Sequence, residues 1–256
     1  MFDTIYIDAH THFGAGMPMG IPPEDAQKCV DMMDRIGMDG MVTSPPYASI
    51  KGRAFDEANE LILKAMRKWP GRFYGLARIN PHFRDEAVKK AENYLEAGFW
   101  GIKFHPHNEG YKINDRALVF PIMEKIEKHG GIALFHTGGE IHSHPALIGD
   151  VANKYPTVPI MLAHFGGIYS DEAMLVASWF DNVIIDTSFC RNPHIIEKGV
   201  EIAGASNLVY ASDYPQGSIE LDTLKVELAD ISKRDKELIL GKNIKGILDR
   251  VGGMRR

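Results

Sequence analysis

Histidine side chains at the ends of short apolar runs are the groups of this sequence that could do chemistry together. The chain contains 11 histidines in 256 residues, and two of them, His10 and His12, follow the apolar run that begins at Ile5. Residues two apart in an extended strand point to the same face, so both imidazoles could reach one ion. Imidazole is a favoured ligand of zinc, at about 2.0–2.1 Å. The alternative is a pair of polar residues in a strand-to-loop transition.

Two later histidines occupy nearly repeated segments. His136 and His164 each follow an apolar run. In both cases a single residue separates the histidine from a Gly pair that permits a tight turn. A single histidine of this kind usually satisfies a backbone carbonyl, but two of them in successive strands indicate a shared role. Asp213 ends a further apolar run, where an unpaired buried carboxylate would be costly. For Asp213 taken alone, a helix N-cap is the alternative.

Together these residues form a candidate metal site of His10, His12, His136 and Asp213. Three neutral imidazoles and one carboxylate leave a coordination position for water, which is typical of catalytic rather than structural zinc sites. A divalent ion lowers the pKa of such a water and polarises a substrate oxygen. We expect zinc, with manganese as the alternative, because histidine and carboxylate ligands suit both ions.

Eight apolar runs are the candidates for the strands that would position these groups. Their continuous apolar character favours strands that are covered on both faces. The predicted strands are Ile5–His10, Met38–Ser44, Phe73–Asn80, Trp100–His105, Ile132–His136, Pro159–His164, Val183–Ser188 and Leu208–Asp213.

Segments with helical spacing lie between the predicted strands. They are Asp25–Ile36, Phe55–Trp69, Asp85–Ala97, Asn114–His129, Pro145–Tyr155, Ser170–Phe180, Pro193–Ala203 and Ile219–Ala229. Asn114 is the predicted N-cap of the fourth of these helices. The tail from Ser232 to Val251 predicts one or two further helices, broken near Gly241.

A strand followed by a helix, repeated eight times, predicts an α/β protein of the (β/α)₈ TIM-barrel type. We expect a single domain over residues 1–256 with a C-terminal helical extension. An open, doubly wound sheet is less favoured, because no Gly-rich phosphate-binding segment follows the first strand. Active sites of such barrels lie at the C-terminal ends of the strands, which is where the candidate ligands fall.

Composition argues against several classes of protein. The net charge is −5 and no Lys/Arg-rich block is present, so we expect no nucleic-acid partner. The two cysteines, Cys29 and Cys190, form no disulfide framework and indicate reduced thiols. No apolar stretch reaches the roughly 18 residues of a membrane span, and the N-terminus lacks a basic signal region. We expect a cytoplasmic protein that acts on a small molecule, and a homodimer is its candidate assembly.

Five segments, in order along nearly the whole chain, resemble the amidohydrolase superfamily. They are residues 8–12 (DAHTH), 101–106 (GIKFHP), 136–138 (HTG), 163–167 (AHFGG) and 212–215 (SDYP). Within the superfamily, the chain is most similar to the amidohydrolase-2 branch, which contains hydrolases and the aminocarboxymuconate semialdehyde and resorcylate decarboxylases. The resemblance implies that His10, His12, His136 and Asp213 match the metal ligands of members with one ion.

The resemblance also implies roles around the ion. His164 matches a general acid or base, and Asp213 is expected to assist as a catalytic group. In members with two ions, a carboxylated lysine on the fourth strand bridges them, so carboxylated Lys103 would imply a second ion. We favour an unmodified ammonium that binds a substrate carboxylate. His105 and Arg191 are further candidates for substrate binding.

Two enzymatic functions and one non-enzymatic function follow. The leading hypothesis is a metal-dependent hydrolase, in which activated water attacks an amide, lactone or ester-like carbonyl. The alternative is a metal-dependent decarboxylase, a carbon–carbon lyase that acts on a small aromatic or enol carboxylate. Cationic anchors for a carboxylate, such as Lys103 or Arg191, would favour the decarboxylase. The third hypothesis is a barrel that binds metal or ligand without turnover.

Overall fold

The computed structural model describes residues 4–14, 25–46 and 55–254. Within these ranges eight parallel strands form one sheet, in which each strand is hydrogen-bonded to the next strand in sequence. The strands are β1 (Ile7–His12), β2 (Gly40–Ser44), β3 (Phe73–Arg78), β4 (Gly101–Phe104), β5 (Ile132–Phe135), β6 (Ile160–Leu162), β7 (Val183–Asp186) and β8 (Leu208–Val209). This topology confirms the predicted (β/α)₈ barrel.

Helices follow the strands in the described part of the chain. They are α1 (Ala26–Ile36), α2 (Asp56–Lys68), α3 (Asp85–Glu96), α4 (Pro106–Glu109), α5 (Phe120–Lys128), α6 (Ile148–Lys154), α7 (Ser170–Trp179), α8 (Pro193–Ala203), α9 (Ile219–Leu228), α10 (Lys233–Glu237) and α11 (Asn243–Gly253). Local signals set their ends: the Asp25 side chain accepts from the Lys28 N–H at 2.8 Å, and Gly37 ends α1 at φ 72°. Within the described residues, no helix combines the length and apolar character needed to cross a bilayer.

The first and last strands meet through a small number of bonds. The Ala9 N–H donates to the Tyr210 carbonyl at 2.9 Å, and the Asp213 N–H donates to the His10 carbonyl at 2.8 Å. The buried carboxylate of Asp8 adds a side-chain link, because it accepts from the hydroxyl of Ser212 at 2.5 Å and from its N–H at 3.1 Å. These bonds bring the two ends of the sheet together and nearly close the barrel. Asp8 therefore braces the backbone beside the site and makes no bond to an imidazole ring.

Alternate residues of the strands fill the barrel interior in two layers. The lower layer is apolar and contains Ile7, Ala9, Val42, Leu76, Ile132, Leu134, Met161, Ala163, Ile184, Val209 and Ala211. Polar residues follow members of this layer by two positions, at or just past the ends of the strands, and include Ser44, Arg78, His136, Asp186 and Asp213. α11 packs Ile244, Leu248 and Val251 against the apolar layer. With an apolar interior below, the polar groups are confined to the C-terminal mouth of the barrel.

One helix start differs from its prediction. The helix expected from Asn114 begins instead at α5, six residues later. Asp115, not Asn114, accepts from the N–H groups of Ala117 at 2.9 Å and Leu118 at 3.0 Å. The Asx turn that results occupies the residues before α5, while the side chain of Asn114 donates instead to Oδ2 of Asp150 at 2.7 Å.

The end of the chain also differs from its prediction. The strand expected over Leu208–Asp213 is regular only over Leu208–Val209, because the Tyr210 N–H donates to the carbonyl of Ile239 at 2.7 Å. Ile239 lies in a π-helical segment, Leu238–Lys242, which joins α10 to α11 where a break was predicted near Gly241. An added Cβ at Gly241 would overlap the Ile5 carbonyl, so the close approach of these backbones requires glycine.

The strand predicted over Pro159–His164 ends at Leu162, and residues 163–169 consist of tight turns in which His164 has φ 61° and Phe165 has φ 51°. The helix predicted over Pro145–Tyr155 is a short 3₁₀ turn, Pro145–Leu147, that continues into α6. A single domain over residues 1–256 stays a prediction, since residues 1–3, 15–24, 47–54 and 255–256 lie outside the described ranges.

Candidate metal and substrate site

A cavity of about 280 Å³ opens at the C-terminal ends of the strands. This volume is near the lower end of the roughly 300–1,000 Å³ of small-molecule sites. Its lining includes predicted site residues that lie on or just after five of the strands: His12, Lys103, His105, His136, His164 and Asp213. Arg78, Thr137, Gly138, Glu140, Gly167, Phe189 and Gln216 complete the wall. The sequence therefore located the mouth of the barrel correctly as the place where polar groups gather.

Three of the four predicted metal ligands converge at one point. The Nε2 atoms of His10 and His12 lie 3.3 and 3.0 Å from Oδ1 of Asp213. One donor atom from each residue can be chosen so that all three lie within 4.8 Å of one another, and all three residues are buried. Asp213 has φ 57°, a left-handed conformation that is uncommon for a residue other than glycine. Two imidazole nitrogens and one carboxylate oxygen, gathered in this way, fit a divalent ion such as zinc or manganese.

The other ring nitrogen of each histidine is held by the protein. Nδ1 of His10 lies 2.8 Å from Oδ2 of Asp186, and Nδ1 of His12 lies 3.2 Å from the carbonyl of Ser44. When Nδ1–H donates to these oxygens, the lone pair of each ring is on Nε2, the atom that faces Asp213. The surrounding acceptors therefore select the tautomer that can bind an ion.

Asp186 is a functional residue that the sequence reasoning missed. Besides His10, its carboxylate accepts from the His164 N–H at 2.8 Å and from the hydroxyl of Ser188 at 2.6 Å. It is fully buried and joins a candidate ligand to a candidate proton carrier. The signal was present, because Asp186 ends the apolar run of β7 as Asp213 ends that of β8.

His136 stands apart from the three converging residues in this arrangement. Its Nδ1 lies 3.0 Å from Nε2 of His164, and its ring stacks on that of His105 with 3.9 Å between centroids. Nδ1 of His164 is in turn 3.0 Å from the hydroxyl of Ser188. The role of His136 as a fourth metal ligand stays a prediction, and His105 contacts it directly.

Lys103 points into the barrel beside the converging ligands. Its Nζ lies 2.8 Å from Nε2 of His10, the atom that would bind an ion. Burial lowers the pKa of Lys103 to about 8, and the carboxylates of Asp213 and Asp186 oppose that shift. The side chain is therefore a buried ammonium at neutral pH, and it would compete with a bound metal ion for the same histidine nitrogen.

Burial also favours the neutral form of four imidazoles at the barrel mouth. It lowers the pKa values of His10, His105 and His136 well below their ordinary value, and that of His164 to about 4. Neutral imidazole is the form that binds metal ions. Burial by itself raises the pKa of Asp213. The neighbouring His10 and His164 lower it, and the net shift is downward. The site thus combines neutral nitrogen ligands with an ionised carboxylate.

One predicted substrate-binding residue lies away from the cavity. Arg191 is exposed and is not part of the cavity lining, so the geometry does not support the expectation that it binds substrate there. The backbone turns at Phe189, which has φ 52°, and the ring of Phe189 lies 5.3 Å from that of His164. The turn presents Phe189 to the mouth of the barrel and leaves Arg191 outside.

Arg78 supplies a further cation at the mouth of the barrel. It is the last residue of β3, is 1% exposed, and forms part of the cavity wall. Its Nη2 donates to Oε1 of Glu109 at 2.9 Å. Two cations, Arg78 and Lys103, therefore lie in the wall beside the candidate metal ligands.

Comparisons with known proteins agree with this geometry. The profile of the amidohydrolase family matches residues 7–250. No curated protein matches the chain. Among solved structures, 5-carboxyvanillate decarboxylase LigW from Sphingomonas paucimobilis has a TM-score of 0.76 and 17% identity, over 96% of this chain and 99% of that chain.

Two other solved structures have the same fold. Dihydroxybenzoic acid decarboxylase from Polaromonas sp. JS666, with bound manganese and the inhibitor 2-nitroresorcinol, has a TM-score of 0.76 and 18% identity, over 96% of this chain and 97% of that chain. An uncharacterised TIM-barrel protein from Bordetella bronchiseptica has a TM-score of 0.80 and 18% identity, over 97% of this chain and 99% of that chain. At these identities the likeness demonstrates the barrel fold.

Proposed function

The chain belongs to the amidohydrolase family, and from that premise we propose that it is a divalent-metal-dependent decarboxylase of small hydroxyaromatic or enolic carboxylates. The observation that carries the proposal is the wall of the cavity, where Arg78 and Lys103 lie beside the converging His10, His12 and Asp213. A carboxylate substrate needs such cations, whereas a neutral amide or lactone does not. The names of two structural neighbours, both decarboxylases, support the same choice.

We propose that His10, His12 and Asp213 hold the ion, with His136 as a fourth ligand after a small rotation away from His164. A divalent ion bound there would supply a Lewis-acid contact for the carboxylate and hydroxyl oxygens of the substrate. Manganese in a structural neighbour makes that metal as suitable a candidate as the zinc we first expected. Asp186 and the Ser44 carbonyl keep the two strand-end histidines in the tautomer that this role requires.

The side chains around the ion have separate tasks in the proposed reaction. Lys103 pairs with the substrate carboxylate, and the stacked rings of His105 and His136 form one side of the cavity. His164 delivers a proton to the ring carbon while the bond from that carbon to the carboxylate breaks and carbon dioxide leaves. Burial lowers the pKa of His164 to about 4, so its ring is neutral at rest and takes the proton from solvent before passing it to the ring carbon, where that proton replaces the departing carboxylate.

The hydrolase that we first favoured uses the same residues differently. His164 or Asp213 would deprotonate a water, which would attack a carbonyl carbon. Since both reactions share the ligands, the reaction products are what distinguish them. Arg78 and Lys103 favour the decarboxylase because a neutral substrate of a hydrolase has no anionic group for these cations to bind.

The test is a measurement of carbon dioxide release by protein loaded with manganese or zinc and supplied with a panel of hydroxybenzoates. Decarboxylation by the wild-type protein, and its loss in His164→Asn at unchanged metal content, would support the proposal. Arg72→Met, at the other end of the barrel, is a matched control that should retain full activity, since Arg72 pairs with exposed Asp34 at 2.7 Å. Turnover of lactones or amides with no carbon dioxide release would instead establish the hydrolase. No turnover of either class by metal-loaded protein would contradict both.

A further inference from the structure

Both the backbone and the guanidinium head of Arg78 are fixed by contacts with other residues. Its Nε and Nη2 both donate to Oε1 of Glu109, at 3.1 and 2.9 Å, and its guanidinium carbon lies 4.5 Å from the centre of the Phe55 ring. The side chain of Asn59 bonds to both the N–H and the carbonyl of Arg78, each at 2.9 Å. Strand β3 and helix α2 thus fix the backbone, and Glu109 with Phe55 fixes the planar head.

Stability alone does not account for this arrangement. Arg78 and Glu109 are 1% and 6% exposed, and removing two such charges from water costs about as much as their attraction returns. Apolar residues of similar volume would fill the wall at no loss of stability. A preorganised arginine is instead what recognition of a planar anion requires, because the guanidinium presents several N–H groups in a rigid fork.

The guanidinium retains donors for a ligand. It has five N–H groups. Glu109 accepts from two of them, and the carbonyl of Pro46 accepts from a third at the long distance of 3.4 Å. The bonds among the described residues use no more than these. The head of Arg78 therefore pairs with one carboxylate oxygen and keeps further N–H groups, and the residue lines the cavity.

Arg78 and Lys103 are neighbours in register on adjacent strands, and both border the cavity. Adjacent strands are about 4.8 Å apart, on the order of the separation between two substituents of one aromatic ring. Lys103 lies beside the proposed metal ligands, through its 2.8 Å contact with His10, and Arg78 lies next to it on the neighbouring strand β3. The two cations are thus placed to hold two acidic groups of one small molecule.

We infer that Arg78 anchors a second carboxylate of the substrate, so that the substrate class is an aromatic dicarboxylate rather than a monocarboxylate. This inference rests on the proposed function for the identity of the first carboxylate, which lies at Lys103 and the metal ligands. The second carboxylate accepts from Arg78 and stays on the product. Glu109 is a positioning residue, because it acts on the substrate only through Arg78.

The test compares two ligands that differ by one carboxylate: salicylate, and hydroxyisophthalate, which is salicylate with a second ring carboxylate. Their dissociation constants are measured by calorimetry on manganese-loaded protein, so the result does not depend on turnover. The wild-type protein should bind hydroxyisophthalate more tightly. A bond from a charged donor to a carboxylate supports roughly ten- to hundredfold in affinity, so Arg78→Met should lower this preference by about that factor. Affinity for salicylate should change by less than about threefold, a bound set by the modest energy of indirect effects.

Two further variants keep the outcome interpretable. Arg78→Lys retains the charge but loses the fork, so its preference should fall between those of the wild-type protein and Arg78→Met. Arg72→Met deletes an arginine paired with a carboxylate just before β3, outside the cavity, and should leave the preference unchanged. If Arg78→Met is too unstable to purify, Arg78→Lys is the deciding variant. An unchanged preference of Arg78→Lys for hydroxyisophthalate over salicylate would contradict the inference. Equal binding of both ligands by the wild-type protein would also contradict it.

The outcomes also separate this inference from the proposed function. If carbon dioxide is released but Arg78→Met binds both ligands as the wild-type protein does, the decarboxylase stands and Arg78 is only a structural brace. If no decarboxylation is found but the preference depends on Arg78, the dicarboxylate site stands and the reaction must be sought elsewhere. A fall in melting temperature without a change in preference overturns the inference.

Discussion

Replacement of Asp186 by Asn tests whether a buried carboxylate prepares His10 for metal binding. The change preserves the shape of the side chain but converts one oxygen into an NH₂ group. Oδ1 of Asp186 accepts from the His164 N–H and from both the N–H and hydroxyl of Ser188, at 2.6–3.1 Å. Those three donors hold the remaining oxygen of the amide in place and turn the NH₂ group toward Nδ1 of His10.

In that orientation Nδ1 of His10 must accept a hydrogen bond, so the single proton of the neutral ring moves to Nε2. Nε2 is the atom 3.3 Å from Oδ1 of Asp213, and once protonated it has no lone pair for an ion. Loss of such a carboxylate partner typically lowers metal affinity by about 10- to 100-fold, or about 1.4–2.8 kcal/mol. In the opposite orientation the NH₂ group of the Asp186→Asn side chain would face the three donors of His164 and Ser188. Each donor left without an acceptor would then cost about 1–3 kcal/mol of stability.

The assay is a competition titration of manganese or zinc against a chromophoric chelator, run beside thermal unfolding. Asp222→Asn is the matched control, because Asp222 is also buried, at 5% exposed, and pairs with Lys225 instead of an imidazole. The control should retain the metal affinity of the wild-type protein. Wild-type metal affinity in folded Asp186→Asn would refute the argument that this carboxylate sets the tautomer of His10.

Four other outcomes follow from the structure. Protein purified without chelators should hold one ion per chain by elemental analysis, and Lys103→Met should keep that ion. Two ions per chain in the wild-type protein and one in Lys103→Met would instead indicate that Lys103 is carboxylated. The pKa of Lys103 is about 8, so its ammonium predominates below that pH. The dissociation constant of salicylate should therefore be constant below about pH 8 and rise about tenfold per pH unit above it. Lys103→Met should remove this pH dependence. His164→Asn should retain metal but lose roughly 10²–10⁴-fold in carbon dioxide release, and undiminished release would exclude it as the proton carrier. Gly241→Ala should lower the melting temperature because the added Cβ overlaps the Ile5 carbonyl, while Gly246→Ala, which meets nothing within 4 Å, should leave it unchanged or raise it.

The sequence by itself determined the barrel and the place of its chemistry. Eight apolar runs separated by helical segments specify parallel strands, and the strand period of two puts His10 and His12 on one face. Asp213 and His164 were identifiable because each ends an apolar run, where the geometry of the fold places the mouth. These inferences need only local patterns and the topology that such patterns permit.

The tertiary structure decided which side chains meet. Asp186 bonds to His10 across 176 positions of sequence, and Glu109 bonds to Arg78 across 31, so neither partner is visible in a local pattern. Arg191 was predicted to face the cavity, but the left-handed turn at Phe189 carries it outside. Loop backbone conformation sets where a side chain points once a strand has ended, and a strand period cannot be extended past that point. The barrel mouth was therefore predictable from the sequence, whereas the hydrogen bonds that orient its ligands required the fold.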